Sequence, residues 1–115
     1  MSYSVKIAGK EVELAWTQET AKRFSYRMGE IGGEPTSKQF TNPRTVQTAL
    51  FKVLWALLPS NMMARYPDPE SLFIEVDHET EGEAIFKAID GIYKDRYPDA
   101  AKKKTTKKSP SQELS

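Results

Sequence analysis

At 115 residues the chain has the length of one domain and can bury a core of its own. Its net charge of +1 hides an asymmetry: residues 1–97 carry twelve Lys/Arg against fourteen Asp/Glu, whereas residues 98–115 carry five lysines against Asp99 and Glu113. With no cysteine, the chain excludes a disulfide framework, a thiolate nucleophile and a Cys-based zinc site.

The opening MSYSVKIAGKEVEL alternates charges where a signal peptide would need an apolar core. The longest apolar run, Ala49 to Leu58, is broken by Lys52 and falls short of the roughly 20 residues that cross a bilayer. A soluble, cytoplasmic protein is expected. The first sixteen residues read as a β-hairpin. A Gly9-Lys10 turn of type II′ would pair Ile7 with Val12, Val5 with Leu14 and Tyr3 with Trp16 on one face, and Lys6 with Glu13 on the other. A two-stranded ribbon is marginal alone and needs a surface to lie on.

Thr17 is the expected N-cap of a helix to about Gly29, with Ala21, Phe24, Met28 and Ile31 inward and Lys22, Arg23 and Arg27 toward water. Gly32-Gly33 and Pro35 end it, and 34–41 reads as a mobile loop. Asn42-Pro43 is expected to open the next helix. Its main face is Val46, Leu50, Val53, Leu54 and Leu57, but Phe51, Trp55 and Leu58 lie off that face. A helix apolar on most sides is either central to a core or covered by another chain. Pro59 stops it. Asp68-Pro69 starts a short helix to about Val76, with Leu72, Phe73 and Val76 inward. Thr80-Glu81-Gly82-Glu83 reads as a capping box before a last helix striped by Ile85, Ile89, Ile92 and Tyr93, with Ala84 and Ala88 beside it. Beyond Tyr97-Pro98 periodicity ends and a disordered basic tail is expected. The fold class is α+β, mainly α: one domain over 1–97, a hairpin packed on about four helices, followed by a tail over 98–115.

Glu75, Asp77, His78, Glu79, Glu81 and Glu83 form the densest polar cluster. A metal site would use the single histidine and its neighbouring carboxylates, but an acidic first helical turn and a solvated face account for the same residues. No metal, cofactor or catalytic residue is expected: no Gly-x-Ser-x-Gly elbow and no phosphate-cradling loop is present. The surplus apolar residues instead suggest a partner-binding surface, Phe51, Trp55, Leu58, Met62, Met63 and Tyr66, with core filling as the competing reading of the methionines. The tail lysines, Lys102, Lys103, Lys104, Lys107 and Lys108, have no arginine or aromatic among them. Lysine alone gives phosphate attraction that is non-specific and weakens with salt.

In three stretches, "VKIAGKEVELAWTQETAKRF", "ALFKVLWALLP" and "PDPESLFIEVD", followed by a final helix and a charged tail, the chain resembles the tail assembly chaperones of long-tailed bacteriophages. The likeness covers about residues 3–97 as a pattern of hydropathy and length. It implies a non-enzymatic protein of the infected host's cytoplasm, absent from the mature virion. Such proteins self-associate and coat the tape measure protein while tail tube protein polymerises around it. The resemblance further implies a frameshifted pair of products, of which this would be the short one; an adenine-rich slippery sequence encoding Lys102–Lys108 would fit. In such pairs an extra domain of the longer product recruits tube subunits, so that role is not expected of these residues. The alternatives are a small nucleic-acid-associated protein with the lysine tail as an arm, or another phage morphogenesis or connector protein.

Overall fold

A computed structural model of the protein describes residues 2–97; the lysine stretch 102–108 lies outside the described residues. Two antiparallel strands, β1 (Ser2–Ile7) and β2 (Lys10–Ala15), lead into five helices: α1 (Gln18–Glu30), α2 (Ser37–Thr41), α3 (Val46–Leu57), α4 (Pro69–Glu75) and α5 (His78–Arg96), with a 3-10 turn at Ser60–Met62. The fold is the expected mainly helical α+β arrangement, with one helix more.

The hairpin turns at Ala8-Gly9, one residue earlier than Gly9-Lys10. Val5 therefore pairs with Val12, Tyr3 with Leu14 and Lys6 with Glu11. Because side chains alternate with a period of two, this two-residue slide keeps the same apolar face: Val5, Ile7, Val12 and Leu14 are buried. Both turn residues have positive φ, +52° at Ala8 and +84° at Gly9, as mirror-image hairpin turns require. Alanine is strained there, and the strain is offset from outside the hairpin. The Ala8 and Gly9 N–H groups donate to Oε1 and Oε2 of Glu81 on α5, at 2.9 and 2.8 Å. The ribbon lies on α5, where Gly91 leaves room for the Tyr3 ring; a Cβ at Gly91 would come within 2.6 Å of that ring.

Thr17 caps α1 as expected, its Oγ1 accepting from the Thr20 N–H. Arg27 does not face water. It is buried, and its Nη1 donates to the carbonyls of Trp55, Ala56 and Leu58 at 3.3, 3.2 and 2.7 Å. Those carbonyls include orphans at the end of α3, so the guanidinium caps a neighbouring helix. Burial, followed by the nearby Arg23 charge, lowers the Arg27 pKa.

The expected loop over 34–41 contains α2, whose Gln39 carboxamide accepts from the Thr36 N–H. Asn42 ends α2 instead of capping α3. Its Oδ1 accepts from the Arg44 N–H, and its carbonyl from Thr45 and Val46, so the next helix starts four residues later than Asn42. Asp68 caps α4 as expected, through the Ser71 N–H. Helix α5 begins at His78 with Asp77 as its cap, ahead of the expected Thr80 box. Asp77 wins because its carboxylate accepts from both the Glu79 and Thr80 N–H groups.

The core is built around α3. From Ala49 to Leu58 every residue except Lys52 is buried, with α1, α2, α4 and α5 packed around it. Among the described residues, no helix is long and apolar enough to cross a membrane.

Candidate functional site

Of the six residues expected to form an exposed partner surface, four are buried, which overturns that expectation for Phe51, Trp55, Leu58 and Tyr66. Phe51 and Trp55 are 2% and 3% exposed, and Leu58 and Tyr66 are fully buried. Met62 and Met63 are partly buried against the same core. Trp55 Nε1 donates to the Tyr66 carbonyl at 3.0 Å, and the Tyr66 hydroxyl donates to Glu75 at 3.2 Å. The physical reason is geometric: α1, α2, α4 and α5 pack around α3, so apolar residues around its circumference find partners within the chain.

The site that does open at this helix is a groove between α3 and α4 with a volume of about 430 Å³. Phe51 and Phe73 line it, with Ile31 at one side and Thr48, Lys52, Pro69 and Glu70 around them. The two phenyl rings meet edge to face at 5.2 Å, an arrangement that fixes both. His78 leans on both, at 5.0 Å from Phe51 and 4.6 Å from Phe73, with Nε2 2.8 Å from the Phe73 carbonyl. The groove thus has an apolar, pre-formed floor. Its rim carries one ammonium, Lys52, and two carboxylates, Asp68 and Glu70. Such a surface suits an amphipathic helix bearing mixed charge at its edges.

Of the expected set, only Phe51 lines this groove. Thr48 and Lys52 could have marked it from sequence: with Gln47 they are the three polar residues of an otherwise apolar helix, and their i, i+4 spacing sets a wet line that Phe51 borders.

The acidic cluster is dispersed among structural duties. Glu75 pairs with Arg65 at 3.1 Å; hydrogen bonds to Tyr66 and Glu75 hold the Arg65 guanidinium above its ordinary pKa. Asp77 caps α5, and Glu83 pairs with Lys87 at 3.3 Å. Glu81 departs most from the expected solvated face: it is 8% exposed and accepts from Asp77 as well as from the hairpin turn. Among the described residues, no group of three His, Asp or Glu is arranged to hold a metal ion.

No protein-family model, curated protein or solved structure matches this chain.

Proposed function

We propose that the protein is a non-enzymatic tail assembly chaperone of a long-tailed bacteriophage. It would act in the host cytoplasm by holding helical segments of the tape measure protein in the α3–α4 groove until tail tube protein assembles around them. The observation that carries this reading is the groove itself, a pre-formed apolar trough with a charged rim, floored by Phe51 and Phe73. Helix-in-groove recognition needs such a floor and little else, and it can repeat along a long client. The hairpin running into helices, with an apolar central helix and a proline-started short one, supports the same reading through its likeness to that family's pattern.

The test is co-expression with the tape measure protein of the same genome, followed by size-exclusion chromatography. Co-elution is expected, together with its loss in Thr48→Arg, which fills the groove mouth from an exposed position. Elution of the unmodified chain alone would refute the proposal. Retention by DNA that persists with the full chain and disappears on deleting residues 99–115 would favour a nucleic-acid arm.

A further inference from the structure

Arg96, in the last turn of α5, is enclosed on several sides. Its Nη1 and Nη2 donate to Oε2 and Oε1 of Glu34 at 2.6 and 3.1 Å, a two-pronged pairing that matches the planar fork of a guanidinium. Four aromatic rings surround the same group: its central carbon lies 4.8 Å from the Trp16 ring centre, 4.9 Å from Tyr97, 5.1 Å from Phe24 and 5.8 Å from Tyr93. The Tyr93 hydroxyl donates to Glu34 Oε2 at 3.2 Å, holding the carboxylate in place. Trp16 and Phe24 meet edge to face at 5.4 Å, and Tyr93 and Tyr97 stack at 6.2 Å. The walls are thus two ring pairs, each in contact within itself, with the guanidinium between them.

Aromatic faces with a carboxylate at one end are the chemistry of cation recognition. A cavity of about 440 Å³ opens beside the guanidinium, lined by Trp16, Phe24, Met28, Glu34 and Arg96 among others. The Arg96 side chain is one-fifth exposed, at 20%, and Glu34 one-third, at 33%. Glu34 also follows two glycines of positive φ, Gly32 and Gly33, whose backbone carries no Cβ to restrain it. The occupant thus has a route out, the carboxylate has a permissive hinge, and there is room for a replacement to enter.

We propose that this cage is an exchangeable guanidinium-binding site with Arg96 as its resident ligand, and that an arginine side chain from a partner protein can take that place. Exchange would release the C-terminal end of α5 from the α1–α2 connection. This inference is independent of the groove and of the client proposed for it.

The test uses the full chain, its Arg96→Ala variant, and ethylguanidinium as probe, read by the Trp16 indole N–H resonance and the thermal midpoint. In Arg96→Ala, ethylguanidinium is expected to shift the resonance saturably and raise the midpoint, with ethylammonium and ethylurea doing less. Glu34→Gln in the same background should abolish the response. The unmodified chain should show the same resonance shift at about tenfold or more higher concentration, because a tethered competitor has an effective concentration in the millimolar range. No saturable shift in Arg96→Ala, an equal response to ethylammonium, or a response confined to the variant would overturn the proposal. Should Arg96→Ala fail to fold, the same titration is followed by circular dichroism: recovery of helix with ethylguanidinium alone supports the site, and no recovery overturns it.

Discussion

Glu81 accepts three backbone N–H groups, from Ala8, Gly9 and Asp77, and so fastens the hairpin turn to the start of α5. Charge-assisted hydrogen bonds of this kind each contribute about 1.5–3 kcal/mol, and losing the acceptor leaves donors unpaired. Glu81→Ala is expected to lower stability by about 2–3 kcal/mol, read as a shift in urea midpoint with faster amide exchange at Ala8 and Gly9. The turn carries a second, opposite prediction. Alanine in the left-handed region costs about 1–2 kcal/mol, and glycine adds only about 0.4–1 kcal/mol of unfolded-state entropy. Ala8→Gly should therefore stabilise by about 0.5–1 kcal/mol; a lower urea midpoint would contradict this account of the turn. At Gly91 the sign depends on a neighbour. Gly91→Ala meets the Tyr3 ring and is expected to destabilise by about 1–2 kcal/mol through overpacking. With Tyr3→Ala already present, the same change should stabilise by up to about 1 kcal/mol through helix propensity.

Helix α3 shows how an element's apolar character and stop can be legible while its start at Val46 and its surroundings are not. Its period, apolar character and stop at Pro59 are plain in the chain, and so are the starts of α1 and α4, where Thr17 and Asp68 cap locally. What local patterning leaves open is how many neighbours cover a helix, and the off-stripe Phe51, Trp55 and Leu58 are core because four helices pack around α3. Trp55→Ala is accordingly expected to cost about 3–5 kcal/mol in stability, as large-to-small changes in cores do, where a surface residue would change the urea midpoint little. Three charged residues lie against the core for one shared reason. Arg27 follows Phe24 by three positions, Glu81 precedes Ile85 by four, and Arg96 follows Ile92 by four, so each lies on a buried stripe. Charge pointed them toward water, whereas periodicity pointed them inward to cap a helix, hold a turn and fill an aromatic cage. The hairpin register failed differently: its face was legible, but the choice of Ala8-Gly9 over Gly9-Lys10 accompanies a contact 73 residues away, which no local rule contains.

For the whole molecule, the slightly acidic body and lysine-rich end divide the possibilities. The body offers a groove with an apolar floor, and the groove is where the proposed client would bind. A gene encoding the short member of a frameshifted pair should carry a slippery heptamer across the Lys102–Lys108 codons with an overlapping downstream frame; reading that nucleotide sequence checks it, and its absence would remove this part of the proposal. The chain has no cysteine, so a single one can be placed at will. Thr48→Cys at the groove mouth and Phe86→Cys on α5, where Phe86 is 53% exposed, each labelled with a benzophenone, report what lies against each position. Irradiated with the tape measure protein, the Thr48 label should cross-link to it and the Phe86 label should not. Cross-linking from Phe86 alone, or from neither, would contradict a chaperone that holds its client between α3 and α4.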